Sequence, residues 1–283
     1  MVDLEVDPRI TSTDSAVGEW RQGDCVLGEH WFAHRLDVSF SVTDSGLNAA
    51  QGGVDLAEQE VPGFVVVTQT CDIVRSCIQR PFIEVCPLVE VDENRLIEIQ
   101  RGRRPAYAFV PRLSDRRLVA DLDRVMTVEK PLVATWERTA GWTADVEARA
   151  FAQALSRKRV RFAFPDDFTE LVTRLLTRLT DKHGKNTDEG RGLRALDEIR
   201  VYASPSWDAN EVMIFLWFVR NDHDVCFEGK SWADLHNAWL NLLSITGRFK
   251  SVEGQVVTLK DMTAEEYVTS DPLDLDHLST ASL

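Results

Sequence analysis

The stretch Gly63-Phe64-Val65-Val66-Val67-Thr68 limits the fold more than any other part of this sequence. It is a continuous apolar, β-branched run without polar alternation, so neither of its sides suits water. Such a strand belongs in the middle of a sheet with both faces covered. It stops abruptly at Gln69-Thr70-Cys71-Asp72. A second run, 82–88, is punctuated by Pro81 and Pro87. Pro87 has no N–H for a ladder, so the strand is expected to end there. Val38-Ser39-Phe40-Ser41-Val42 alternates as a half-buried strand should, and residues 44–60, rich in Gly, Asn, Asp and Gln, read as a loop. Further short strands are predicted at 96–100, 106–110, 117–120 and 125–128. Strands this short and this closely spaced predict a barrel or a strongly bent sheet.

The pattern changes after residue 140. Val146, Ala150, Phe151, Ala154 and Leu155 share one face of a helix predicted over 143–156, with Thr143 as its N-cap. A second helix is predicted over 167–181, with Phe168, Leu171, Val172, Leu175, Leu176 and Leu179 as its stripe. The last third reads as a strand pair at 198–203 and 212–220, a helix at 232–244 capped by Ser231, and a returning strand at 256–259. Residues 1–17 are polar, acidic and aperiodic, and read as a flexible arm in which Asp14→Ala should matter little.

With 283 residues and 44% hydrophobic content, the chain can bury a sizeable core. No apolar run approaches the ~20 residues that cross a bilayer. The start, Met1-Val2-Asp3-Leu4-Glu5, has neither the positive nor the apolar region of a secretory signal, so a cytoplasmic location is expected. The five cysteines, Cys25, Cys71, Cys77, Cys86 and Cys226, are an odd number in mostly apolar surroundings. They read as buried thiols.

The formal net charge of −14 argues against nucleic acid and anionic membranes as partners of the surface as a whole. The centre departs from it. Residues 101–117 hold six arginines, among them Arg103 and Arg104, against the single acid Asp115, and residues 157–161 read Arg-Lys-Arg-Val-Arg. Arg103, Arg104, Arg157, Lys158, Arg159 and Arg161 are therefore candidate phosphate-binding groups, with Phe162 and Phe164 beside them for stacking. The alternative is that they pair with the surplus carboxylates.

The end of the 63–68 strand is the candidate site. A rigid strand that stops at a cluster of polar groups and a thiol fixes those groups while the loop exposes them. Cys71 is a candidate nucleophile, His30 and His34 its candidate bases, and Asp72 a group that could orient a histidine. Asp24, after a glycine at a strand entry, is a further candidate, and Gln69 and Arg75 flank the thiol for binding. The competing readings are a small buried thiol at Cys71 and turn-capping roles for Asp72 and Asp24. Cys25, His30, His34 and Cys71 also make a chemically valid zinc set, but no CxxC supports it. The chain has no Walker A, GxGxxG, GxSxG or HExxH motif. No cofactor or metal is assigned.

Arg21-Gln22-Gly23-Asp24, the segment Thr68-Gln69-Thr70-Cys71-Asp72-Ile73 and Val85-Cys86-Pro87-Leu88 together resemble an uncharacterised group of bacterial proteins with a QGD…(S/T)QTCDI…PL pattern. A more distant resemblance is to the MazF/PemK-type toxin barrel, in which a Gly-Asp entry strand precedes an apolar strand ending in Ser and then a strand ending in Pro. Here Thr68 stands in place of that Ser, and the insert between the first two strands is longer. The patterns above predict an α+β chain, with an SH3-like β-barrel over 18–138, a helical segment over 141–190, and an α/β unit with an acidic tail over 191–283. The resemblances imply a bacterial source. The function expected from them is a nucleic-acid-associated or regulatory component of a defence or mobile-element system. The alternative is a toxin-like ribonuclease or cysteine-dependent hydrolase centred on Cys71 and Asp72. The candidate partners are nucleic acid, through the basic centre, and another protein. A membrane is not among them.

Overall fold

The computed structural model describes residues 7–102, 104–160 and 162–273. The chain is α+β and divides into two compact units, Met1–Arg159 and Val160–Leu283. The boundary falls after the basic end of the helix that closes the first unit.

The first unit holds strands β1 (Cys25–Arg35), β2 (Leu56–Val66), β3 (Phe82–Glu90), β4 (Tyr107–Phe109), β5 (Leu118–Asp121) and β6 (Met126–Glu129). Its helices are α1 (Pro8–Val17), α2 (Asp44–Gln51), α3 (Thr70–Ile73), α4 (Glu93–Gln100), α5 (Lys130–Val133) and α6 (Asp145–Arg159). The strands run in the order β1-β2-β3-β5-β4, all antiparallel, and β6 also pairs with β3. The run predicted to be central is central. Phe64 and Val66 face one core with Trp20, Ile73, Ile83 and Val85, while Val65 and Val67 face another with Leu88, Leu113 and Phe151.

The expected SH3-like barrel is not formed, for among the described residues the sheet does not close. β1 curls towards β6, but the Ala33 N–H meets the Met126 sulfur at 3.4 Å and finds no carbonyl there. β3 does not stop at Pro87. β5 pairs with it at 88–90 and β6 at 82–85, with residues 122–125 looped out between them. Pro87 sits opposite that interruption, where an N–H is not needed.

Three local expectations fail for identifiable reasons. Residues 96–100 belong to α4, because Asp92 caps the helix by accepting the Arg95 N–H at 2.8 Å, and Leu96 and Ile99 bury one helical face. Val38, Phe40 and Val42 alternate but lie in no strand. Thr43 caps α2 instead, over residues expected to be loop. The described part of the supposed arm is a helix: Asp7 caps α1, and Val17 and Trp20 reach the core.

The second unit holds α7 (Asp166–His183), α8 (Asp188–Ala195), β7 (Leu196–Ser204), β8 (Val212–Arg220), α9 (Trp232–Leu240), β9 (Phe249–Thr258), α10 (Ala264–Thr269) and β10 (Asp271–Leu273). The sheet order is β10-β7-β8-β9, with β8 and β9 parallel across the connection that carries α9. The predicted stripe of α7 packs with Leu235 and Trp239 of α9 on one face of this sheet. Ser231 caps α9 in a reciprocal pair with Asp234. The Asp188 carboxylate accepts the successive N–H groups of Glu228, Gly229 and Lys230 at 2.8, 2.9 and 3.0 Å. These bonds, with Arg191 at 2.6 Å, bring its pKa down to about 2 and pin the connection before α9. Among the described residues no helix is long and apolar enough to cross a membrane.

Candidate functional site

β2 ends at Val66, and the chain leaves it through a loop that returns as β3 at Phe82. The Arg21–Asp24 motif grips the root of this loop. The Gly23 N–H donates to the Val66 carbonyl at 2.8 Å, and Gly23 has a φ of 93°, a region that favours glycine. A side chain there would also strike Trp142, whose indole N–H holds the Gln22 carbonyl at 2.9 Å. Gln22 reaches forward on both its donors, with Nε2 to the Val67 carbonyl at 2.8 Å and its backbone N–H to Thr70 Oγ1 at 3.1 Å. Thr68 Oγ1 in turn accepts the Glu84 N–H at 2.7 Å.

The far side of the loop rests on a lysine. Lys130 is 0% exposed, and its ammonium donates to the carbonyls of Asp72, at 3.0 Å, and Arg75. It closes the C-terminal end of α3, where carbonyls lack helical partners. Burial pushes its pKa below the ordinary lysine range, and the charges of Asp14 and Asp72 work against that. Asp14 Oδ1 accepts the Cys77 N–H at 2.7 Å. Neither Lys130 nor Asp14 was a sequence candidate, since nothing local marks a lysine for burial or gives an acid on a polar segment a distant partner.

The expected irrelevance of Asp14 is therefore corrected. Asp14→Ala should cost about 1.5–3 kcal/mol, the range for a charged hydrogen bond. Burial alone would raise the pKa of this carboxyl, but its bonds to Cys77 and Ser76 and the Lys130 charge bring it below the ordinary aspartate range. The stabilisation is thus present at neutral pH and lost as pH falls through the lowered value. Urea midpoints of wild type and variant should differ at pH 7 and converge in acid. Equal midpoints at pH 7 would leave the loop without this brace.

Against this scaffold the candidates sort plainly. Gln69, Cys71 and Arg75 are exposed, with Cys71 Sγ 3.6 Å from Gln69 Oε1. Cys71 is thus not the buried thiol expected, and Cys226 is exposed as well. Asp72 lies 3.8 Å from both Arg75 Nε and Arg80 Nε. Asp24 is withdrawn from solvent at 2% exposure, and its carboxylate holds the Arg21 N–H at 2.8 Å and Arg138 at 2.9 Å. It serves the turn.

The histidines do not join Cys71. The loop meets the first strand at its beginning, through Gln22, whereas His30 pairs across to Val61 and His34 to Ala57. At about 3.3 Å per residue, they lie roughly 16 and 30 Å along β1 from Cys25. His30 packs edge-on against Phe64 and Trp136 at 5.6 and 5.5 Å, and burial lowers its pKa. His34 stacks on Phe32 at 5.8 Å. The zinc alternative dissolves with them: the described residues hold no group of three or more His, Cys, Asp or Glu that could bind a metal. Burial raises the thiol of Cys25 and takes that of Cys86 up to about 12.

The basic centre is largely bound within its own unit. Arg157 donates to the Gly102 carbonyl at 3.3 Å, Lys158 pairs with Asp123, and Arg159 pairs with Glu84 at 2.8 Å. Arg104 is half-buried. Arg103 and Arg161 lie outside the described residues. Compared with protein-family models, with curated proteins and with solved structures, the chain matches none.

Proposed function

We propose that this chain is a regulatory binding component without chemistry of its own, and that residues 69–80 form its recognition loop. One observation carries this reading. The loop is fastened at the backbone of Val67, Asp72, Arg75 and Cys77 and at the Thr70 hydroxyl by groups from elsewhere in the first unit, while the side chains of Gln69, Cys71 and Arg75 are left to solvent without a histidine beside them. Rigid presentation without a base suits recognition. The bacterial defence or mobile-element setting comes from the sequence resemblance and forms part of the same proposal. A nucleic-acid partner would have to be met by cations other than Arg157, Lys158 and Arg159, which face Gly102, Asp123 and Glu84.

The exposure of Cys71 at a braced strand end favours a second reading, a cysteine-dependent hydrolase. Native thiol labelling separates the two. Iodoacetamide should modify Cys71 and Cys226 at comparable rates and leave Cys25 and Cys86 untouched until the protein unfolds. A Cys71 rate more than about tenfold above that of Cys226 would mark an activated thiolate and restore the hydrolase.

A further inference from the structure

A different surface of the first unit carries an inference that does not depend on the loop. β2 pairs with β3 only over 64–66, so residues 56–61 have β1 as their one strand partner among the described residues. β1 and β2 thus extend as a two-stranded ribbon, with α2 in the connection at its tip. Isolated ribbons of this kind are marginal in water, and this one is supported from inside. Phe32 and Ala57 are buried on its inner face, the Arg124 guanidinium lies 5.6 Å over the Phe32 ring, and Arg124 also bonds Gln59 at 2.9 Å.

The outer face and the tip are unlike an ordinary surface. Register places Trp31 with Glu60, Ala33 with Glu58 and Arg35 with Leu56 on the outer side. Trp31 and Leu56 are exposed there, and the tip adds Phe40 at 76%, Val42 at 81%, Leu47 and Val54. Large apolar side chains gathered on an ordered element mark an interaction site. The charge around them identifies its partner. Residues 29–60 contain six acids and one base, Arg35, which is paired with Asp55. Such a field repels nucleic acid, anionic bilayers and the same surface of a second copy.

We propose that the β1–β2 ribbon and its α2 tip dock a cationic amphipathic segment of a partner protein. The apolar side of that segment covers Trp31, Phe40, Val42 and Leu56, and its basic side meets Glu58 and Glu60. This is helix-in-groove recognition transferred to an acidic ribbon.

The test uses the full chain and a labelled amphipathic peptide of Lys and Leu, followed by fluorescence anisotropy. Because the whole protein is acidic, the control matters as much as the variants. Phe40→Ser with Val42→Ser, and separately Glu58→Lys with Glu60→Lys, should each weaken binding about tenfold or more. Glu253→Lys with Glu265→Lys, the same charge change on the second unit, should leave it within about twofold. These positions are exposed, so thermal midpoints should hold in all three variants. Equal weakening by the control would reduce the effect to net charge and overturn the proposal, as would unchanged or absent binding in the ribbon variants and wild type alike. Binding of phosphatidylglycerol vesicles or of oligothymidylate lost in the Phe40/Val42 variant, or self-association lost in it, would assign the ribbon to a bilayer, a nucleic acid or a second copy, and equally overturn it.

Discussion

Val66→Asp should abolish the folding of the first unit. Val66 is 1% exposed and packs with Phe64, Ile73, Ile83 and Val85. Losing that burial costs about 1.5–3 kcal/mol. The new carboxylate would lie among the apolar side chains of Phe64, Ile73, Ile83 and Val85, and its desolvation adds several kcal/mol more. The sum is of the same order as the ~5–15 kcal/mol that holds a typical domain together. Backbone contacts amplify the effect, because the Val66 N–H donates to the Asp24 carbonyl and its own carbonyl accepts from Gly23, both at 2.8 Å. A shift of this strand therefore also frees the root of the loop over 67–81. Hydrogen exchange over 25–35, 56–66 and 82–90 should lose its protection in the variant. Val66→Thr, nearly the same shape with one hydroxyl to bury, should keep the fold at reduced stability. An unaltered thermal midpoint in Val66→Asp would mean that the strand lies at an exposed edge.

The second large effect is expected at Trp239, in the other unit. Its ring is 0% exposed and lies 5.0 Å from that of Phe218, and its indole N–H donates to Glu189 Oε1 at 3.2 Å. Truncation to Ala leaves a cavity worth about 3–5 kcal/mol. It also removes one donor from a carboxylate that is 5% exposed and otherwise held by Arg178 at 3.0 and 2.8 Å. Trp239→Phe isolates this second contribution, since most of the ring volume remains. Burial by itself would raise the Glu189 pKa, yet the bonds from Arg178 and Trp239 bring it below the ordinary glutamate range. A carboxylate lowered in this way stabilises the fold above its unfolded pKa, and that stabilisation vanishes as pH falls through the folded value. With one donor gone the folded value rises, so Trp239→Phe should begin to unfold at a higher pH than wild type. The same acid midpoint in both proteins would show that the indole contributes nothing to holding the charge.

The parts of the fold that could be read from sequence are those where one physical requirement dominates. The β2 run had no polar alternation, so only a two-sided core suited it. The α7 stripe had helical spacing over about three turns and was recovered with its buried face. Misreadings came where two requirements compete. Val38, Phe40 and Val42 fit a strand by alternation, but Thr43 and Gly46 close a helix cap immediately after, and a Cβ at Gly46 would lie 2.1 Å from Ser41 Oγ. The period-two pattern there is an exposed apolar tip. At the site, the strand end was legible and its supports were not. Cys71 and Asp72 follow β2 in the chain, whereas Asp14 and Lys130 come from 57 residues before Cys71 and 58 after Asp72. The histidines misled for the complementary reason: they are near in sequence to the motif that grips the loop, but an extended strand carries them away from it.

The order of the second sheet has a bearing on how the protein is made. β7 is flanked by β8, which follows it directly, and by β10, the last strand of the sheet. A ribosome adds roughly 5–20 residues per second. Between the appearance of Ser204 and that of Leu273, one edge of β7 is therefore open for several seconds, with the backbone groups of Ile199 to Val201 unpaired. Open strand edges recruit other strands. The parallel β8–β9 pair also has to wait, for α9 and the chain as far as Thr258, but it is available before β10. β10 thus acts as a seal applied last, and a nascent chain arrested before Asp271 should be the form most in need of a chaperone.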